Sequence, residues 1–207
     1  MEEILRERNI RNIIHFTRAE NLLGILDKGL LPRMALDEDE SIFNDAYRYD
    51  NCENAICASI EFPNYKMFYT LRLNEPGTEW VVLILDASIL LDFQCAYCET
   101  NAGSEEMYSM SLSNRMGTDA FLRMFAANSD GRRREDLGIP DYYPTNPQAE
   151  ILIFGEIPID YIKCIIFDSY LTLGKYRPYI PEKIKAIVDR DYYFARKDYK
   201  HWQITSV

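Results

Sequence analysis

The chain has 207 residues, of which 47% are hydrophobic and 27% charged, close to the average for globular proteins. This composition argues against disorder over most of the length, and the nine glycines and nine prolines follow no fibrous period. No stretch reaches about 18 uninterrupted apolar residues, which argues against a transmembrane helix. The first eight residues mix both charges, so we expect no secretory signal. We therefore expect a cytoplasmic protein with one domain over residues 1–207.

The net charge of −10 is distributed unevenly. Residues 1–100 carry 9 basic and 18 acidic side chains, whereas residues 101–207 carry 14 and 15. An acidic chain repels phosphate at long range, so a nucleic-acid partner has to meet a local basic patch. Two segments are candidates, residues 132–134 and residues 196–202. The alternative for each is a solvated surface.

The chain begins with a predicted strand at residues 12–17 that leads into a helix. Apolar residues at helical spacing continue as far as Leu30. Thr17 and Glu20 match a capping box at the start of this helix, and Gly29 fits its C-terminal cap.

The rest of the chain predicts a mixture of strands and helices separated by long loops. We expect strands at 55–60, 80–85, 149–154, 163–167 and 192–194, helices at 64–71, 88–92, 119–127 and 181–188, and loops at 35–54, 95–117 and 128–147. Strands and helices do not alternate strictly, so an α+β fold is favoured over a doubly wound sheet. Neither a G-x-G-x-x-G turn nor a P-loop is present.

The five cysteines do not suggest a disulfide framework, because their number is odd and their spacing irregular. Cys95 and Cys98 form a C-x-x-C pair that, with Cys52 and Cys57, has the composition of a zinc site. Reduced, partly buried thiols are the favoured alternative, so we expect no metal.

The segment His15–Leu31 combines a His-x-Thr strand end with the helix that follows. A core histidine and a helix-capping threonine are the alternatives for its two polar residues. The whole segment resembles the opening of the H-x-T group of ADP-ribosyltransferases. That resemblance implies that NAD is a co-substrate and that its binding residues are His15, Phe16, Thr17, Asn21, Gly24, Leu31 and Tyr69.

A second motif is Glu150, which follows the 128–147 loop and opens a hydrophobic run. A rigid strand end is a good mount for one carboxylate, although a solvated strand end is the alternative. The run from Gln148 resembles the C-terminal strand of the DarT family of DNA ADP-ribosyltransferase toxins. Further similarities to that family lie at residues 59–69, 99–104 and 191–194. They imply an ADP-ribosyltransferase-like fold in which two small β-sheets form an NAD cleft with flanking helices.

The resemblance also implies the chemistry. ADP-ribosyl transfer passes through an oxocarbenium-like transition state, as glycoside hydrolysis does. Glu150 would stabilise the developing positive charge and assist the acceptor, while His15 and Thr17 would orient the ribose. The family also carries an arginine after Ser-Ile, which implies a catalytic role for Arg48. A surface arginine that neutralises neighbouring acids is the alternative.

The 128–147 loop lies where this family presents its acceptor. Arginines and aromatic rings suit single-stranded nucleic acid, by phosphate pairing and base stacking. The predicted nucleic-acid residues are Arg132, Arg133, Arg134, Tyr142, Tyr143 and Asn101, with a solvated loop as the alternative.

The first functional hypothesis is a toxin of a toxin–antitoxin or phage-defence system that modifies a base in single-stranded DNA. Its partner would be a cognate antitoxin, for example a macrodomain protein. Transfer to RNA by the same mechanism is the closest alternative. An RNA 2′-phosphotransferase ranks lower, because the N-terminal half has few of the arginines that grip a phosphate. An inactive binding module of the same fold is the non-enzyme alternative.

Overall fold

A computed structural model describes residues 1–36, 52–128 and 130–203 of the chain. Its strands are β1 (Asn12–Arg18), β2 (Ala55–Ile60), β3 (Trp80–Asp86), β4 (Cys95–Cys98), β5 (Glu150–Phe154), β6 (Ile162–Phe167) and β7 (Lys185–Val188). Its α-helices are α1 (Glu2–Glu7), α2 (Leu22–Lys28), α3 (Tyr65–Asn74), α4 (Ile89–Asp92), α5 (Glu105–Ser109), α6 (Gly117–Arg123), α7 (Arg134–Leu137) and α8 (Tyr170–Tyr176). None of the helices in these ranges is long and apolar enough to cross a membrane.

The strands form one seven-stranded sheet in the order β4-β5-β2-β1-β3-β6-β7. All neighbours are antiparallel except β6 and β7, which run parallel. The middle of the sheet is weakly joined, because β1 and β2 pair only through Ile13 with Ile60 and Ile14 with Ser59. The α+β prediction is confirmed, but two separate sheets are not, since this short ladder joins the two halves.

Alternation along the strands divides the core between the two faces of the sheet. The largest cluster runs under the whole sheet and includes Ile13, Leu83 and Ile151. The other face carries two smaller clusters, one around Phe68 of α3 and one around Leu152 of β5. These two clusters divide at the weak junction of β1 and β2, because the first involves β1, β3 and β6 and the second involves β2, β4 and β5.

Three local predictions are wrong. Residues 185–188 form β7 rather than a helix, because they pair with β6. Residues 190–193 form a 3₁₀ helix rather than a strand, with the Tyr193 hydroxyl donating to the carbonyls of Trp80 and Ile166. Thr17 lies within β1 and caps no helix; its hydroxyl accepts a hydrogen bond from Asn21.

Five elements were missed inside segments predicted as loops or left unassigned, namely α1, β4, α5, α7 and α8. The short strand β4 lacks β-branched residues, and its pairing with β5 is what makes it a strand. Helix α8 begins at a Ser169 cap, whose hydroxyl accepts from the backbone N–H of Thr172.

Gly29 ends α2 with a φ of 83°. A Cβ there would lie 2.5 Å from the carbonyl oxygen of Ile157, the residue that bridges Leu30. Gly29→Ala therefore combines a backbone strain with a backbone clash, and we expect it to lower the free energy of unfolding by roughly 1–3 kcal/mol. Urea denaturation measures this change.

The matched control for that prediction is Gly24→Ala within α2, where a Cβ meets nothing within 4 Å. This substitution should raise the free energy of unfolding by about 0.5–1 kcal/mol, because alanine favours helix over glycine. Equal destabilisation by the two variants would contradict the assignment.

Candidate active site

Glu150, the first residue of β5, presents a carboxylate whose two oxygens are both held. The residue is 6% exposed. Oε1 accepts a hydrogen bond from the Asn64 side-chain amide at 3.0 Å, and Oε2 accepts one from the Ala102 backbone N–H at 2.8 Å. Because the two donors come from separate loops, the carboxylate has a fixed orientation.

Asn64 is fully buried at the N-terminal end of α3. Its side-chain oxygen accepts from the backbone N–H of Met67 at 3.2 Å and so caps the helix. Its own backbone N–H donates to the hydroxyl of Ser59 at 3.2 Å. Since the oxygen serves the helix, the amide nitrogen is the atom that faces Glu150. No motif identified Asn64 as a site residue, although asparagine before a helical segment is a recognisable cap signal.

The turn that delivers Asn64 is anchored to β1. Glu61 has a φ of 59°, a left-handed conformation that is uncommon for a residue other than glycine. Its carboxylate accepts from the backbone N–H of Asn12 and from the Asn12 side chain, each at 2.8 Å, and also from the backbone N–H of Arg11. These bonds hold the turn in a conformation that costs about 1–3 kcal/mol by itself.

His15 lies on β1 just beyond the last residue that pairs with β2. Its Nδ1 lies 2.8 Å from the Cys57 carbonyl oxygen, a β2 acceptor that the separating strands leave available. Burial lowers the pKa of the His15 imidazole below 6.5, and the bond to Cys57 opposes part of this shift. A neutral ring that donates through Nδ1 presents Nε2 as an acceptor for a hydroxyl group.

Strand β2 connects His15 to Glu150. Cys57 pairs with Leu152, and Ala58 pairs with Ile151, the residue after Glu150. From the Cys57 carbonyl that His15 contacts, Glu150 is displaced by two residues along β5 and by one strand spacing, on the order of 8 Å between backbone positions. His15 and Glu150 therefore lie on the two strands that flank β2.

The other predicted NAD residues divide into two groups. Thr17 and Asn21 are linked by a hydrogen bond of 3.0 Å and follow His15 directly, while Gly24 and Leu31 lie along and beyond α2. The aromatic residues differ. Phe16 stacks on Phe68 with centroids 4.4 Å apart, so its ring belongs to the core beneath α3. Tyr69 is 59% exposed on that helix. Arg48 lies outside the described residues.

The three arginines of the 128–147 loop have unlike surroundings. Arg134 stabilises the loop, because its guanidinium donates to the carbonyls of Tyr143 and Pro140, at 2.6 and 2.7 Å. Burial lowers its pKa. Its guanidinium is therefore committed within the loop, which argues against the predicted nucleic-acid contact. Arg133 pairs with Asp136 on the exposed side, and Arg132 pairs with Asp130.

The loop tyrosines are also packed. The rings of Tyr142 and Tyr143 meet edge to face, and Tyr143 meets Phe62 in the same way. Burial raises the pKa of Tyr143 to about 12. These rings stabilise the loop, so their predicted stacking on bases competes with an existing structural role.

Asn101 sits one residue before the Ala102 donor, and its side chain accepts from Gly103 N–H at 2.9 Å.

The C-terminal basic segment is only partly solvated: Arg196, Asp198 and Trp202 are buried, whereas the residues between them are exposed. Arg196 and Asp198 are 3% and 4% exposed and form a two-pronged ion pair with both N···O distances at 2.7 Å. The same guanidinium donates to the carbonyls of Pro144 and Thr145 at 2.9 and 3.0 Å. We call residues 196–202 the C-terminal strap, because it fastens the 128–147 loop.

The cysteines do not assemble a zinc site. Cys95 and Cys98 are three residues apart on β4, so their side chains lie on opposite faces of the sheet. Burial raises the pKa of the Cys95 thiol to about 12, which disfavours the thiolate that zinc requires. Within the ranges that the structure describes, no group of three His, Cys, Asp or Glu side chains could hold a metal.

Comparison with solved structures shows the class of fold. Thermus sp. 2.9 DarT in complex with NAD⁺ matches with a TM-score of 0.56 at 14% identity, covering 88% of this chain and 97% of that one. The same DarT in complex with ADP-ribosylated ssDNA matches with a TM-score of 0.58 at 15% identity, covering 90% and 97%. Thermosipho africanus DarTG in complex with ADP-ribose gives 0.59 at 16% identity, covering 89% and 51%. The fold is that of an ADP-ribosyltransferase.

The family follows from the sequence. The model of the DarT family, described as ssDNA thymidine ADP-ribosyltransferase, matches residues 14–194, and the chain belongs to this family. It is thus an NAD-dependent ADP-ribosyltransferase of single-stranded DNA. A search of curated sequences gave no match.

The lowered pKa of the half-buried His15 makes stability depend on pH. Its pKa is lower in the folded than in the unfolded chain, so the unfolded state binds the proton more readily. We expect the free energy of unfolding to fall as pH drops below 6.5, by up to about 1.4 kcal/mol per pH unit from this group. His15→Asn should flatten that slope, and the exposed control His201→Asn should not. Denaturant titrations across pH 5–7.5 measure it, and an NMR pKa above 6.5 would contradict the assignment.

Proposed function

We propose that Glu150 is the catalytic carboxylate of ADP-ribosyl transfer and that His15 and Thr17 position the nicotinamide ribose. The proposal rests on one observation: the two oxygens of the Glu150 carboxylate accept hydrogen bonds from Asn64 and from Ala102. A preorganised negative charge stabilises positive charge as it develops on the ribose, without reorganisation during the reaction.

The residues present suit NAD as the co-substrate. The His15 Nε2 is an acceptor for a ribose hydroxyl, and the Glu150 carboxylate, on the other side of β2, is a second one. The exposed Gly24 leaves open space on α2 beside this strand end. These groups bind and orient the nicotinamide ribose; cleavage of its glycosidic bond supplies the ADP-ribosyl group. Arg48 remains a predicted catalytic residue on the family resemblance alone.

The acceptor that we propose is a thymidine base in single-stranded DNA, as the family description states. Glu150 is positioned to accept the proton that the attacking base nitrogen loses. The 128–147 loop leads directly into β5 and thus approaches Glu150 from one side. Asn101 approaches from the other side, in the turn that provides the Ala102 donor. The loop and the turn are therefore placed to border the acceptor base.

The biological role that we propose is a toxin with a cognate antitoxin, carried by a single domain of residues 1–207. The support is similarity to Thermosipho africanus DarTG, of which this chain covers 51%, so that protein contains a further part of comparable size. A macrodomain as the antitoxin and a cytoplasmic location stay predictions from the sequence.

Glu150→Gln tests the catalytic assignment. The amide keeps the size of the side chain but loses its charge, so transfer should fall by roughly 10²–10³-fold, equivalent to about 2.7–4 kcal/mol. The assay is the mass of a thymidine-containing oligonucleotide after incubation with NAD. Glu156→Gln, at an exposed residue just after β5, is the matched control and should keep the wild-type rate. A Glu150→Gln variant that is folded and equally active would move the catalytic role elsewhere.

A further inference from the structure

The C-terminal strap ends in an indole that is fixed beside the active site. Trp202 is 7% exposed, and its Nε1–H donates to the Asp198 carboxylate at 2.7 Å. Asp198 is itself paired with Arg196, which holds the backbone of the 128–147 loop. The ring therefore keeps one position relative to that loop.

Two cations from separate segments lie against this one ring. The Lys66 ammonium nitrogen is 5.7 Å from the ring centroid, and the Arg132 guanidinium carbon is 4.8 Å from it. Both distances fall within the range of about 6 Å in which a cation is attracted to an aromatic face. The indole thus gathers two positive charges in a chain whose net charge is −10.

These two charges are incompletely neutralised. Arg132 pairs with Asp130 through Nη1. Lys66 has no carboxylate partner among the residues that the structure describes. Burial lowers the pKa of Lys66, and the nearby charge of Arg132 lowers it further, so the two cations repel each other. An anion that contacts both would relieve this repulsion.

The location of Lys66 and Arg132 in the fold indicates which kind of anion they bind. Lys66 is the second residue of α3, two residues after the Asn64 that holds Glu150. Arg132 belongs to the loop that precedes Glu150. Neither lies on the β1–α2 segment, which carries the predicted NAD residues other than Tyr69. Because Arg132 lies on the loop that approaches the acceptor, we assign the pair to the acceptor side of the carboxylate. The buried indole has its surface covered by cations, which favours a charge contact over base stacking.

We propose that Lys66 and Arg132, held together by Trp202, bind a backbone phosphate of the single-stranded DNA next to the base presented to Glu150. This inference rests on the proposed function, because it takes Glu150 as the reaction centre. The contact is independent of sequence: it positions the strand, while other groups select the base.

The test is the salt dependence of DNA binding without NAD. The double variant Lys66→Met, Arg132→Gln keeps the side-chain stems that cover Trp202 but removes both charges. Anisotropy titrations with a fluorescein-labelled, thymidine-containing 12-nucleotide strand should show weaker binding. The slope of log affinity against log salt should become shallower by about 0.7, because the contact to one phosphate is lost. Melting curves verify that the variant is folded.

The matched control is Lys183→Met, Arg6→Gln, which removes the same charge from exposed residues outside the loop and the strap. It should keep the wild-type slope. An unchanged slope in the Lys66/Arg132 variant would overturn the proposal. So would a loss of NAD affinity in that variant, measured by calorimetry, because the cations would then hold the phosphates of NAD. Wild-type protein that binds DNA through this pair but adds no mass to it would instead refute the proposed function.

Discussion

The arrangement of the candidate active site depends on one buried carboxylate, that of Glu150. Removing a charged carboxylate from water is costly unless hydrogen bonds replace its hydration, and Asn64 and Ala102 both donate such bonds to Glu150. Each donor is fixed in turn. Asn64 is held by Ser59 and by the first turn of α3, while Ala102 belongs to the turn that follows β4. Three strands and a helix thus set the orientation of one side chain.

The weak junction between β1 and β2 explains the polar contacts of His15 and Glu61. Two strands that pair over only two residues leave backbone groups without ladder partners, and buried backbone groups need partners. The His15 ring is hydrogen-bonded to the Cys57 carbonyl, and the Glu61 carboxylate accepts hydrogen bonds from the backbone N–H groups of Arg11 and Asn12. The sheet therefore stays continuous while it separates enough to place polar groups side by side.

Much of the fold could be predicted from the sequence, because the β-branched run of β3 and the apolar face of α2 carry strong local patterns. The elements that were missed or wrong, β4, β7 and the turn at Tyr193, have weak local signals and take their conformation from long-range partners. The same distinction between local patterns and long-range contacts applies to the residues of the candidate site. Glu150 and His15 were found through motifs, whereas Asn64 and the Arg196–Asp198 pair act through contacts between distant segments. Arg134 was predicted to contact nucleic acid because it is an arginine in the 128–147 loop, but its hydrogen bond to the Tyr143 carbonyl gives it a structural role.

A crystal structure of the protein with carba-NAD⁺ would show directly whether His15 and Glu150 flank one nicotinamide ribose. We expect the ribose between β1 and β5, with hydroxyl oxygens about 3 Å from His15 Nε2 and from the Glu150 carboxylate. We also expect the Asn64 and Ala102 bonds to Glu150 to persist. A bound nicotinamide ribose that contacts neither His15 nor Glu150 would refute this arrangement.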